Sequence, residues 1–208
     1  MAKSPRPGRV KTRLCPPCTP QEAAEVATAA LADTLDAVAA CGAARKVLAL
    51  DGEPGPWLPP GFEVVPQRGG ALDERLTNAW ADTGGPGLQI GMDTPQVTAE
   101  ELDALLALLT APPPTDDCRA TALLGPAADG GWWVIGLPGT DPHLVFPRVP
   151  MSTAATGRAQ ADRLWSMGLA VLEAPVRRDI DTVEDLRAVA ASIPCSRTAV
   201  AAREQVLA

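Results

Sequence analysis

Short apolar runs alternate along this chain with stretches in which apolar residues recur at helical spacing. The runs at Lys46–Leu50 (KVLAL), Glu63–Val65, Leu88–Met92, Ala120–Leu124, Trp133–Leu137 and Ala170–Glu173 read as strands. Helical patterns fall between them, an alternation that predicts an α/β fold built on a mostly parallel sheet.

Local signals set the expected helix ends. Thr19 can cap a first helix, with Pro20 in its first turn and Glu22 closing a capping box. Its Ala- and Leu-rich body runs to about Cys41, where Gly42 can end it. Four prolines make Glu53–Gly61 a loop. A second helix is expected over Ala71–Asp82, stopped by Gly84-Gly85. A third, capped by Thr98 and Glu101, carries Leu102, Leu105, Leu106 and Leu109 and breaks at Pro112–Pro114. A fourth spans about Thr153–Met167, and Thr182 caps a fifth. The tail Arg197–Ala208 reads as helical and peripheral. No internal repeat and no long linker divides the chain, so residues 1–208 are expected to form a single domain.

The chain has 208 residues, 46% of them hydrophobic and 21% charged, with a net charge of -7. That balance suits a globular enzyme and argues against a nucleic-acid partner, which needs a basic face to displace counterions. A few local cations still suffice for one nucleotide. No apolar run nears the roughly 20 residues that span a bilayer, and no apolar stretch follows the basic N-terminus. The expectation is a cytoplasmic protein with no membrane contact. Its five cysteines then read as reduced thiols. Cys15 and Cys18 form a Cys-Pro-Pro-Cys pair before a helix. Zinc would need two more close ligands, and Cys41, Cys118 and Cys195 are scattered, so ordinary thiols are preferred to zinc or redox chemistry.

Four clusters carry candidate chemistry. Lys3–Leu14 (KSPRPGRVKTRL) packs five cations around Gly8 in an acidic protein. Glycine admits a phosphate to the backbone, and Lys11 and Arg13 can neutralise its charge; the competing reading is a solvated basic tail. Asp93, in Gly91-Met92-Asp93-Thr94-Pro95, is expected just past a strand end, where it can hold a divalent cation or only cap a turn. Leu124–Trp133 (LGPAADGGWW) sets Gly130 and Gly131 before two tryptophans. It reads as an acceptor site, or as a tight hairpin with at least one core tryptophan. In Asp179-Ile180-Asp181-Thr182, alternation puts both aspartates on one side of an extended segment ahead of the capped helix.

Other chemistry fits poorly. The only histidine, His143, is expected in a loop, and no serine has a Gly-x-Ser-x-Gly elbow, which disfavours a serine hydrolase. The Walker and dinucleotide fingerprints are absent.

Taken in order, KSPRPGRVKTRL, RGGALDERL (Arg68–Leu76), GMDTP, LGPAADGGWW and DIDTVEDL resemble a bacterial family of GT-A-like transferases labelled domain of unknown function 2064. That family is itself similar to molybdenum-cofactor and phospholactate guanylyltransferases. The resemblance implies a three-layer α/β/α nucleotide-diphosphosugar-transferase fold. It implies that Pro7, Gly8, Lys11, Thr12, Arg13 and Arg75 bind the nucleotide. Asp93 and Asp181 would hold Mg2+ or Mn2+ and, with Lys11, carry catalysis. Asp129, Gly130, Gly131 and Trp132 would bind a small-molecule acceptor, Asp129 being the one candidate base. Two features depart from the family pattern. Met151-Ser152-Thr153 stands where relatives carry Trp-Ser-Thr. The strand that should precede the phosphate loop also looks truncated: the preferred reading is that it lies upstream of an incorrectly assigned start, the alternative that Met1–Lys3 is all that remains of it. The expected function is nucleotidyl transfer from a nucleoside triphosphate to a small, phosphorylated acceptor. Glycosyl transfer from a nucleotide sugar, or a non-catalytic nucleotide-binding protein, are the alternatives, with a homodimer left open.

Overall fold

A computed structural model describes residues 1–111 and 119–206. The expected break at Pro112–Pro114 and the thiol of Cys118 lie outside the described residues. The chain divides into two compact units. The first comprises Met1, Val65–Gly91 and Glu100–Arg177; the second comprises Ala2–Val64, Met92–Ala99 and Arg178–Ala208.

The second unit contains β1 (Ala2–Lys3), a 3-10 helix (Thr12–Leu14), α1 (Pro20–Ala40) and β2 (Val47–Asp51). It also holds α6 (Val183–Ser192) and α7 (Arg197–Gln205). Ala2–Lys3 is thus a strand, parallel to β2 with Ala2 opposite Leu50 and Lys3 opposite Asp51. β3 (Glu63–Pro66), inside which the division falls, follows β2 in the sheet order β1-β2-β3. α1 begins as its sequence requires: Thr19 accepts from the Glu22 amide while the Glu22 carboxylate accepts from the Thr19 amide. Its inner face is small, and Ala23, Val26 and Ala30 share one core with Ile180, Leu186, Ala199 and Ala202.

That packing corrects the expectation for the tail. α7 is not peripheral, since Thr198, Ala199 and Ala202 are buried. The Asp33 carboxylate on α1 accepts from the Thr198 amide at 2.8 Å and its hydroxyl at 2.7 Å. A carboxylate there also complements the positive end of the α7 dipole.

The first unit contains α2 (Leu72–Thr83), β4 (Gly87–Ile90) and all but the first residue of α3 (Ala99–Thr110). β5 (Thr121–Pro126), β6 (Trp132–Leu137), α4 (Pro142–Val145), α5 (Thr156–Ser166) and β7 (Ala170–Glu173) follow. The sheet order is β4-β6-β5-β7. β5 and β7 are parallel, whereas β6 runs antiparallel to both β4 and β5. The connection Ala127–Gly131 is too short for a parallel crossover, so it closes a hairpin. Leu76 and Trp80 of α2 pack with Leu124, Ile135, Phe146 and Leu164. Burying each such side chain stabilises the unit by about 1.5–3 kcal/mol.

Three boundaries differ from the sequence reading. β4 ends at Ile90, so Met92 is not in the strand. His143 lies on α4, not in a loop, because Asp141 accepts from the His143 amide and caps that turn. α5 starts at Thr156, after a turn in which the Thr156 amide donates to the Thr153 carbonyl.

Candidate active-site residues

Lys11 is placed by its apolar neighbours. Val10 packs against Ala24 and Ala27 of α1, and Leu14 is fully buried in the core around Ala23 and Val26. Between these anchors the backbone of Lys11 turns left-handed, with φ 48° and ψ 37°, and its carbonyl accepts the Leu14 amide at 2.9 Å. That conformation costs a non-glycine residue roughly 1–2 kcal/mol. It aims the side chain inward, where it is 7% exposed.

The Lys11 ammonium meets Asp93 Oδ2 at 2.7 Å and Asp181 Oδ1 at 3.6 Å. Arg13, 74% exposed, donates to the other Asp181 oxygen at 2.9 Å. Burial opposes the charge on Lys11. The paired Asp93, then Asp181 and Asp179, more than offset that cost and raise the ammonium above its ordinary value. The stability this contributes is present below the ordinary lysine range and is lost only as pH rises beyond it.

Backbone fixes the carboxylates. The Ile180 amide donates to the Asp93 carbonyl at 3.1 Å, and the Ile180 side chain is fully buried. Asp179 and Asp181 therefore project to the same side, as alternation requires, with carboxylate oxygens within 4.8 Å of each other. Thr182 then starts α6 with a capping box completed by Asp185. Beside Asp93, Thr94 is buried and its hydroxyl has no hydrogen-bond partner among the described residues.

Asp93, Asp179 and Asp181 carry hard oxygens of the kind Mg2+ and Mn2+ prefer, and those of Asp179 and Asp181 lie close enough together to share one divalent cation. The ammonium of Lys11 already lies against two of the three. Pro7 and Gly8 form an exposed turn ahead of Lys11, and Thr12 is exposed at the start of the 3-10 helix.

The remaining predicted residues belong to the first unit. Asp129–Gly131 is the β5–β6 hairpin turn, in which Asp129 Oδ1 accepts the Gly131 amide at 2.8 Å. The Gly157 amide of α5 donates to the Gly130 carbonyl at 2.8 Å. Gly130 has φ 90°, and a Cβ there would collide with the Ala154 backbone. A Cβ at Gly157 would come 2.5 Å from the Gly131 carbonyl oxygen. Both glycines are therefore required by contact, and the role of Gly157 carried no sequence signal because it reads as helix interior. The two tryptophans divide. Trp133 is core, its indole donating to the Pro175 carbonyl, while Trp132 is half-buried and its buried indole nitrogen has no partner among the described residues. Arg75 is half-buried on α2.

Cys15, Cys18, Cys41 and Cys195 are free thiols. Burial, followed by the charges of Cys15 and Glu22, pushes the Cys18 thiol up, which works against a reactive thiolate. Among the described residues, no helix is long and apolar enough to cross a membrane.

Both units are α/β, and the fold is of the GT-A-like nucleotide-diphospho-sugar transferase class. A crystal structure from Desulfovibrio desulfuricans G20, of a protein provisionally described as a nucleotide-diphospho-sugar transferase, matches with a TM-score of 0.81. The two sequences are 27% identical, and the match covers 98% of this chain and 91% of that one. Residues 23–153 match the family described as "Uncharacterized protein conserved in bacteria (DUF2064)", and the chain belongs to that family. No curated protein matches it significantly.

Proposed function

We propose that residues 1–208 act as one cytoplasmic, GT-A-like transferase domain that uses Mg2+ or Mn2+ and a nucleotide. The reaction is nucleotidyl transfer from a nucleoside triphosphate to a small, phosphorylated acceptor. One observation carries this reading: Lys11 and Arg13, from a glycine-bearing basic loop, converge with Asp93 and Asp181. Cations beside a carboxylate pair are what a polyphosphate and its counter-ion need.

In this reaction an acceptor oxygen attacks the α-phosphorus, the bond to the bridging oxygen breaks, and pyrophosphate leaves with the electron pair. Lys11 and Arg13 neutralise charge on the departing phosphates, with Pro7, Gly8, Thr12 and Arg75 assigned to the same nucleotide. Asp93 and Asp181 would hold the divalent cation, which when bound supplies further charge stabilisation. Asp129, Gly130, Gly131 and Trp132 are assigned to the acceptor. Asp129 is the carboxylate available to take its proton, and the unpartnered Trp132 indole is a ready hydrogen-bond donor. Positioning and electrostatics supply most of the rate gain.

A second reading is glycosyl transfer from a nucleotide sugar, which the description of the Desulfovibrio protein favours. The two are separated by thermal shift with nucleoside triphosphates and nucleotide sugars, each with and without Mg2+ or Mn2+. A ligand at a hundred times its Kd stabilises the native state by about 2.7 kcal/mol, well within detection. The expected result is a metal-dependent shift with one triphosphate, abolished by Asp93→Asn. A shift confined to a nucleotide sugar would establish the second reading. No shift with any ligand would leave a non-catalytic protein and sink both.

A further inference from the structure

We infer that Lys11 is a positioning residue for the Asp93–Asp181 carboxylate pair. Before substrate binds, its ammonium occupies the place a divalent cation would take; it moves to a nucleotide phosphate when the two enter together. The inference rests on the metal-dependent reading above and adds an order to it. Metal alone binds poorly, because Lys11 has nowhere to go until a phosphate arrives.

Four observations support this. The ammonium is within ion-pair distance of both carboxylates at once, at 2.7 and 3.6 Å, on a side chain 7% exposed. Arg13 holds the far oxygen of Asp181 from solvent, so Lys11 is the inward cation of the pair. Carboxylate oxygens of Asp179 and Asp181 lie within 4.8 Å of each other, so removing Lys11 leaves like charges close together with less to offset them. Val10 and Leu14 pin the backbone on both sides of Lys11, which confines any movement to its side chain.

The exclusion is geometric. Mg2+ bonds carboxylate oxygen at about 2.0–2.1 Å. An ammonium 2.7 Å from the same Asp93 oxygen would lie within a few ångströms of it, two cations in contact. Lysine suits an exchange because its charge is compact and its four-carbon stem flexible. A nucleoside triphosphate brings enough negative charge to receive the released ammonium while its phosphates share the metal.

Mn2+ binding, read by the EPR signal of the free ion, tests the order without reference to turnover. Wild type, Lys11→Met, Lys11→Gln and Asp93→Asn are titrated with and without a non-hydrolysable nucleoside triphosphate, after circular dichroism confirms folding. Lys11→Gln keeps the stem and a polar tip should the methionine variant not fold. Without nucleotide, the neutral variants are expected to bind Mn2+ at least tenfold more tightly than wild type. With nucleotide, wild type is expected to tighten at least tenfold and the gap to narrow. Equal nucleotide-free affinity in wild type and both neutral variants, with Mn2+ still lost in Asp93→Asn, overturns the exchange and leaves the metal site standing. No Mn2+ binding by any folded variant, even with nucleotide, overturns the exchange and the metal-dependent reading together.

Discussion

Around Lys11 the chain is held by charged side chains from three separate stretches of sequence, its own loop, the Asp93 bend and the segment before α6. Around Gly130 it is held by backbone: an amide of α5 on the Gly130 carbonyl, and a packing distance that only glycine allows. The first arrangement can exchange partners, since an ammonium can trade one anion for another. The second cannot yield without moving a helix. In the reaction proposed above, the adaptable support would serve the charged donor and the fixed one the acceptor.

The contrast can be broken most severely at the hairpin. Gly130→Ala, at φ 90° and against the Ala154 backbone, is expected to destabilise the protein by about 3 kcal/mol. Gly131→Ala, whose Cβ would meet only the Asp129 carboxylate at 3.0 Å, is expected to cost about 1 kcal/mol or less. Urea unfolding of the pair checks the difference; equal midpoints would mean that backbone contact does not hold this loop.

The charged region gives smaller effects that respond to conditions. Thr182→Ala removes the cap of α6 and is expected to lose about 1 kcal/mol. It also frees Asp185. Burial works against the Asp185 charge, but hydrogen bonds from Thr182 and Arg178 outweigh it and hold the carboxyl below its ordinary value. A depressed carboxyl contributes stability above its unfolded pKa, near 4, and that contribution fades as pH falls through the folded value. The gap between wild type and Asp185→Asn should therefore close on acidification below about pH 4. A gap constant from pH 7 to pH 3 would contradict this sign. Arg13→Ala gives the smallest change in stability, about 0.5 kcal/mol or less for so exposed a pair. That loss should vanish in 1 M salt, where the Debye length is about 3 Å.

What the sequence disclosed was mostly local. The Thr19–Glu22 and Thr182 caps, the Gly84 stop and the strand cores depend on neighbours a few residues away, and they were legible for that reason. The burial of α7 was not, because it depends on Asp33, a partner 165 residues distant that reads as one more surface carboxylate. The antiparallel course of β6 follows from the shortness of Ala127–Gly131, a signal available in the chain but outweighed by the overall alternation. At the site the charges themselves stood out. Their pairing did not, since Lys11 and Asp93 are 82 residues apart and nothing in either motif names the other.

The bond between the Ile180 amide and the Asp93 carbonyl also sets a schedule. Lys11 and Asp93 leave the ribosome before the irregular segment Asp179–Asp181 that lies beside them. At usual elongation rates the interval is on the order of ten seconds, long compared with local folding. Throughout it Asp181 is not yet available to Lys11, and the small inner face of α1 lacks α6 and α7, against which it packs in the folded chain. The set of charges around Lys11 is therefore complete only after residue 181 has been made.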